Sequence, residues 1–100
     1  MVNKISEIEF DEKINVSKKV IVDCYADWCG PCRMYGPVVE EVSKELVDYD
    51  FYKLNVDEAH DISRRYGVMS IPTTLIFENG ELKNQLVGFR SKDELIEIIK

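Results

Sequence analysis

Two cysteines separated by two residues are the part of this sequence best suited to carry chemistry. Cys29 and Cys32 enclose a Gly-Pro pair in the W-C-G-P-C motif of residues 28–32. A C-x-x-C pair either cycles between dithiol and disulfide or supplies half of a zinc site. A structural zinc site needs four ligands, and this chain adds only Cys24 nearby and a single distant histidine, His60. The ligand count therefore favours a redox pair and predicts no metal site.

The composition narrows the possible classes to a small globular protein. With 100 residues, of which 45% are hydrophobic and 32% charged, the chain is expected to form a single domain over residues 1–100. Its formal net charge of −6 disfavours nucleic acid or an anionic membrane as a partner. No uncharged stretch is long enough to span a bilayer, and the first residues lack the apolar core of a secretory signal. We therefore expect a soluble monomer in the cytoplasm.

An amphipathic helix is expected to position the cysteine pair. Its apolar residues recur at intervals of three and four, the spacing of a packed helix face: Met34, Val38, Val39, Val42, Leu46 and Val47. The helix should begin close to Cys32, which leaves Cys29 at or just before its N-terminus. Pro31 suits the first turn, where its missing N–H costs nothing, whereas Pro37 should kink the helix. An apolar run within residues 19–26 predicts that a buried strand leads into this helix.

The other elements alternate between strand and helix before the chain ends in a hairpin and a helix. We predict strands over residues 2–5, 51–56, 73–77 and 82–87, and helices over residues 7–14, over residues 59–66 and after the capping box at residues 91–94. Asn79 and Gly80 favour the tight turn of the hairpin. Ile8, Phe10 and Ile14 are expected to pack the first helix. This order predicts an α/β fold in which a mixed sheet has helices on both faces.

The sequence closely resembles the thioredoxin family over nearly its whole length. Beside W-C-G-P-C, the matching motifs are V-D at 22–23, Pro37, K-L-N-V-D at 53–57, Y-G-V at 66–68, I-P-T at 71–73, F-E-N-G at 77–80 and V-G at 87–88. The resemblance implies a thioredoxin fold, with a central mixed five-stranded sheet flanked by about four helices. It also implies dithiol–disulfide exchange and a cis peptide bond before Pro72. The sequence departs from the family at Tyr25, where many relatives carry tryptophan, and at Cys24, where phenylalanine is common.

Four residues have expected roles in the exchange reaction. Cys29 should be the nucleophile, because the first cysteine lies outside the helix, faces solvent and has its thiolate stabilised by the helix N-terminus. Cys32 should resolve the mixed disulfide. Asp23, a carboxylate in an apolar strand, should accept the Cys32 proton, with its pKa raised by burial and moderated by Lys53. The alternatives are a carboxylate bonded to backbone amides for Asp23 and an ordinary surface lysine for Lys53. No cofactor is expected beyond the cysteine pair.

Further residues are expected to tune or frame that pair. By resemblance, Gly30 and Pro31 set the turn and contribute to a reducing potential. Trp28 is expected at the rim of a docking surface, with a place in the core as the alternative. A cis Ile71–Pro72 bond would leave the Ile71 backbone free to pair with an extended substrate segment.

The remaining polar and flexible residues near the motifs have weaker claims to a role. Gly88 either keeps the substrate groove open or only ends a strand. Cys24 follows Asp23 in the predicted strand, so its side chain should point to the opposite face of the sheet and be an inert buried thiol. His60 and the pair Arg64 and Arg65 are expected on the surface and are assigned no role.

The leading functional hypothesis is a protein-disulfide reductase. By resemblance, its partners would be disulfide-containing substrate proteins and a thioredoxin reductase that recharges it. One alternative is a binding module in which the dithiol is incidental. Another is a glutaredoxin-like glutathione enzyme, which the W-C-G-P-C motif and the position of Asp23 disfavour.

Overall fold

The computed structural model describes residues Met1–Lys100 as a five-stranded sheet with four helices. A 3₁₀ turn, Val56–Glu58, lies between the third strand and third helix. In chain order the elements are β1 (Val2–Lys4), α1 (Glu7–Val16), β2 (Lys19–Tyr25), α2 (Gly30–Glu45), β3 (Asp50–Asn55), α3 (His60–Arg65), β4 (Thr73–Glu78), β5 (Glu81–Val87) and α4 (Lys92–Ile99). None of these helices combines the length and apolar character that crossing a membrane requires.

The sheet is mixed, as the sequence predicted, with the strand order β1-β3-β2-β4-β5. Strands β1 and β2 run parallel to β3, whereas β4 runs antiparallel to both β2 and β5. The central strand β2 places Asp23 opposite Lys53 of β3 on one side and opposite Thr74 of β4 on the other. The strand that leads to the cysteine pair is therefore buried between two neighbours.

Helices cover both faces of the sheet, and each face has its own hydrophobic core. Helices α1 and α3 pack on one face, where the buried side chains include Phe10, Ile14, Val22, Leu54, Ile62, Leu75 and Phe77. Helices α2 and α4 pack on the other, with Ile21, Tyr35, Val39, Val42, Phe51, Ile76, Leu86, Leu95 and Ile99. Because successive strand residues alternate between faces, Asp23 belongs to the face covered by α2, and Cys24 belongs to the opposite face.

Local sequence signals determine where several elements begin and turn. Ser91 caps α4 through the predicted capping box with Glu94. The same S-x-x-E pattern at Ser6 and Glu9 also caps α1, a capping box that was not predicted. The hairpin turn also forms as predicted, with positive φ at Asn79 (53°) and at Gly80.

Three predicted packing positions were wrong. Ile8, Met34 and Val47 are 94%, 69% and 79% exposed, respectively. The buried face of α2 includes Tyr35, Val39 and Val42, so Met34 projects outward, and Val47 lies beyond the end of the helix. Simple apolar spacing therefore identified the helix but misplaced the edges of its buried face. Residue 56, predicted to end a strand, instead begins the 3₁₀ turn.

Candidate active site

Cys29 and Cys32 form a disulfide across the first turn of α2, with their Cα atoms 5.2 Å apart. Cys29 is the N-cap residue of the helix, and the backbone N–H of Cys32 donates a 3.2 Å hydrogen bond to its Sγ atom. Pro31 lies in the first turn, as predicted, where a backbone N–H would have no partner within the helix. The Cys29 sulfur thus occupies the end of the helix at which a negative charge is stabilised.

The expected exposure of Cys29 was wrong for the disulfide form. Cys29 is 4% exposed and Cys32 is 6% exposed, so the first cysteine is no more accessible than the second. Both sulfurs belong to a small apolar cluster with Ala26, against which Ile71 packs. The sequence could not reveal this cover, because Ile71 lies far from the motif along the chain. Position in the helix, rather than exposure, distinguishes the two cysteines.

The loop before β4 lies directly beside the disulfide. The Ile71–Pro72 peptide bond is cis, as the resemblance implied. The carbonyl oxygen of Ile71 lies 3.8 Å from Cys29 Sγ. The Pro72 carbonyl accepts a 2.8 Å hydrogen bond from the backbone N–H of Gly88. The segments around Cys29, Ile71–Pro72 and Gly88, which are distant in sequence, therefore lie close together near the N-terminus of α2.

Gly88 follows β5 with a φ of +95°, a conformation that favours glycine. A Cβ atom built at this position would lie 3.8 Å from Nη1 of Arg90, which is an ordinary contact. The backbone conformation, rather than a shortage of space, therefore explains the glycine.

Trp28 is held on the surface next to the cysteine pair. Its side chain is 69% exposed, which excludes the alternative of a core aromatic. The indole Nε1–H donates a 2.8 Å hydrogen bond to Oδ2 of Asp57. The backbone N–H of Asp57 in turn donates to Oδ1 of Asn55. Asp57 was not singled out in the sequence, although it and Asn55 both belong to the K-L-N-V-D motif at residues 53–57.

Asp23 is a buried carboxyl group with unusual surroundings. It is 4% exposed, and its Oδ1 atom has no hydrogen-bond partner, so the alternative of a carboxylate satisfied by backbone amides was wrong for this oxygen. Burial raises the pKa of Asp23 to about 7, and the positive charge of Lys53 partly opposes this effect. Asp23 lines an open cleft of about 320 Å³ together with Lys53, Pro37 and Glu40. It is not hydrogen-bonded to either cysteine of the pair.

Lys53 has an exposed side chain on β3, which lies between β1 and β2 rather than at an edge. Its Nζ atom is 5.8 Å from the ring centre of Tyr25, the residue that replaces the more common tryptophan. The lysine therefore lies near Tyr25, the last residue of β2, and its positive charge lowers the pKa of Asp23.

The residues expected to be inactive have ordinary environments. Cys24 is buried, and burial raises its thiol pKa to about 12, so the thiol remains protonated at neutral pH. His60 is exposed at the start of α3. Arg65 is also exposed and forms a 2.6 Å ion pair with Asp11 on α1.

The fold has a mixed five-stranded sheet, and its central strand β2 leads into a helix whose N-terminus carries a disulfide. This combination defines a thioredoxin-fold thiol–disulfide oxidoreductase. A thioredoxin family model matches residues 1–100. The chain is 43% identical to the thioredoxin of Mycoplasmoides gallisepticum, with 95% of each chain covered. It is 44% identical to that of Rickettsia typhi, over 99% of this chain and 96% of the relative. A solved thioredoxin from Plasmodium falciparum superposes with a TM-score of 0.91 at 35% identity, covering 98% of this chain and 96% of that one.

The chain belongs to the thioredoxin family. It is a dithiol–disulfide reductase whose redox pair is Cys29 and Cys32. Membership implies substrate proteins that receive its electrons and a reductase that restores them.

Proposed function

We propose that Cys29 attacks the substrate and that Cys32 resolves the intermediate. In the reduced protein, the Cys29 thiolate attacks one sulfur of a protein disulfide, forms a mixed disulfide and releases the other substrate sulfur as a thiolate. The Cys32 thiolate then attacks Sγ of Cys29 and displaces the second substrate sulfur. The substrate gains two electrons and, with two protons, becomes a dithiol, while Cys29 and Cys32 become a disulfide.

The observation that carries this assignment is the N-cap position of Cys29. Its sulfur accepts the Cys32 N–H at 3.2 Å, which favours a thiolate at Cys29. Each unit by which the thiol pKa falls toward the ambient pH raises the exchange rate only about three- to fourfold, because a more acidic thiol is a weaker nucleophile. The same stabilisation favours the reduced form of the pair, so it raises the reduction potential and limits, rather than adds to, the reducing power of the protein.

Asp23 is the proposed acceptor of the Cys32 proton. Burial raises its pKa to about 7, so the carboxylate is available at neutral pH and is basic enough to take a proton. Since Asp23 and Cys32 are not in hydrogen-bond contact, the transfer is proposed to pass through a water molecule. Lys53 moderates the pKa of Asp23 from the rim of the shared cleft.

The proposed substrate groove runs beside the disulfide. Trp28 forms its rim, and the backbone of Ile71 next to Pro72 pairs with an extended substrate segment. Gly88 borders this groove through its hydrogen bond to the Pro72 carbonyl. Gly30 is proposed, with Pro31, to set the turn between the two cysteines; a Cβ there would meet no atom within 4 Å, so a shortage of space does not explain this glycine.

The broader setting is also a proposal. Residues 1–100 act as one domain and as a monomer in the cytoplasm. A thioredoxin reductase recharges the pair, and Pro31, between the cysteines, contributes to a reducing potential. The net charge of −6 supports protein partners rather than nucleic acid or an anionic membrane.

Trapping of the mixed disulfide tests the order of attack. The three cysteines allow a matched set of variants: Cys29→Ser, Cys32→Ser and, as a control, Cys24→Ala. After incubation with a disulfide-containing protein such as insulin, Cys32→Ser should accumulate a covalent adduct, visible on a non-reducing gel and by mass. Cys29→Ser should form none, and Cys24→Ala should turn over without accumulating the adduct. An adduct in Cys29→Ser but not in Cys32→Ser would reverse the two roles.

A further inference from the structure

Two buried hydroxyl groups lie next to Asp23 in the core beneath α2. Tyr35 and Thr74 are both fully buried, at 0% exposure, and their side-chain oxygens are 2.7 Å apart. Tyr35 lies on the buried face of α2, and Thr74 lies on β4 as the antiparallel partner of Asp23 on β2. The side chains of directly opposed strand residues point to the same face, with their Cβ atoms about 4.5–5.5 Å apart. The hydroxyl pair and the carboxyl therefore share one side of the sheet.

The Tyr35 and Thr74 hydroxyls have one more proton to donate than their mutual hydrogen bond uses. Two hydroxyls carry two protons, and their mutual hydrogen bond uses one of them. The structure gives neither hydroxyl another hydrogen bond. Across the strand pair, Oδ1 of Asp23 is buried and lacks a donor. Thr74 can rotate its hydroxyl proton while its oxygen still accepts from Tyr35, so the unmatched donor and the unmatched acceptor are neighbours.

We propose that Tyr35 and Thr74 are positioning residues for Asp23: Tyr35 donates to Thr74 Oγ1, and the Thr74 hydroxyl donates its own proton to Asp23 when that group is ionised. The contact closes by rotation of the Asp23 side chain about its Cα–Cβ bond, which leaves the Thr74 oxygen in place to accept from Tyr35. Once Asp23 takes a proton, the direction reverses and Asp23 donates to Thr74. No bond between heavy atoms is made or broken. The consequence for catalysis rests on the proposed role of Asp23, whereas the contact itself does not.

The charged and titratable groups around Asp23 are consistent with this role. Lys53 faces it from β3, and Glu40 lines the same cleft from α2. Burial is the main cause of the raised pKa of Tyr35; the hydrogen bond with Thr74 opposes this rise, the negative charge of Asp23 adds to it, and Arg90 opposes it. Lys53 is exposed, so solvent screens its charge and it gives Asp23 no buried hydrogen bond. In the proposed arrangement, the hydroxyl pair supplies that bond to the ionised carboxyl.

The test measures the Asp23 pKa in the oxidised protein by NMR titration of its side-chain carboxyl carbon. Thr74→Val should raise that pKa by about one to two units, a ten- to hundredfold change in acidity, because a hydrogen bond to the charged form is lost. Thr74→Ser keeps the hydroxyl and should retain the native value. Tyr35→Phe should cause a smaller rise, because Thr74 can still donate. If Thr74→Val leaves the pKa unchanged, or Thr74→Ser shifts it equally, the inference is wrong.

A double variant guards against a failure to fold, and a second measurement distinguishes failure of the hydroxyl contact from failure of the proposed role of Asp23. Should Thr74→Val fail to fold because the Tyr35 hydroxyl loses its partner, Tyr35→Phe combined with Thr74→Val removes both hydroxyls and should give the same rise. The pH profile of insulin reduction should shift with the Asp23 pKa. A shifted pKa with an unshifted profile would support the hydroxyl contact and refute Asp23 as the proton acceptor.

Discussion

Replacement of Asp23 by asparagine should favour the folded state increasingly, relative to the native protein, as the pH rises from about 4 to about 7. Burial raises the pKa of Asp23 from 3.8 to about 7 in the folded state. A difference of about three units corresponds to about 4 kcal/mol, at 1.36 kcal/mol per unit, as the cost of ionising this group inside the fold. Asparagine has a similar shape and cannot ionise, so the variant does not incur that cost.

The pH dependence has a definite sign. Below about pH 4, Asp23 is protonated in both the folded and the unfolded chain and contributes no difference. Between about pH 4 and pH 7, the unfolded chain loses this proton while the folded protein keeps it, so native stability falls as the pH rises. Above the folded pKa, the loss is complete. The advantage of Asp23→Asn over the native protein should therefore grow across this interval and then level off.

Urea denaturation of the oxidised protein at a series of pH values between 4 and 8.5 measures this change. The informative quantity is the change with pH in the difference between variant and native free energies of unfolding, because the buried amide of asparagine has its own constant cost. Asp48→Asn, at an exposed aspartate, is the matched control and should show no such trend. A difference for Asp23→Asn that stays constant within about 1 kcal/mol over this range would refute the raised pKa.

Two further substitutions follow from the same site. Lys53→Met should raise the Asp23 pKa by less than about one unit, since the lysine is exposed and screened, and the carboxyl titration should shift less in high salt for this variant than for the native protein. Gly88→Ala should cost about 1–2 kcal/mol in thermal or urea unfolding, because a φ of +95° disfavours a Cβ atom; a loss below about 0.5 kcal/mol would contradict that reasoning.

The fold was predictable because its strongest signals are local. The apolar run of β2, the capping box at Ser91 and the Asn79-Gly80 turn each act over a few residues, and each formed where the sequence placed it. The errors at Met34 and Val47 concern the edges of a helix face. These edges depend on how α2 is rotated against the sheet, and the apolar spacing alone does not determine that rotation.

The site was only partly predictable for a related reason. The cysteine motif and the buried carboxyl are visible in sequence, because residue type and a strand pattern suffice to identify them. Two features of the site join residues 29 or more positions apart: Ile71 lies against Cys29, and Trp28 is hydrogen-bonded to Asp57. A third feature, the lack of a hydrogen-bond donor for Asp23 Oδ1, depends on everything that surrounds a buried atom. Such relations follow from tertiary packing.

Helix α2 links the thiol chemistry to the carboxyl chemistry. Its N-cap holds Cys29, its first turn holds Cys32, and its next turn contributes Pro37 to the cleft that Asp23 lines. The helix N-terminus stabilises a negative charge on sulfur, whereas the core beneath the next turn destabilises one on Asp23. The proposed transfer of a proton from Cys32 to Asp23 requires the two groups to have similar proton affinities, and the raised pKa of Asp23 brings that of the carboxyl closer to that of a thiol. Because one helix carries or covers both groups, a shift of α2 against the sheet would alter both affinities together.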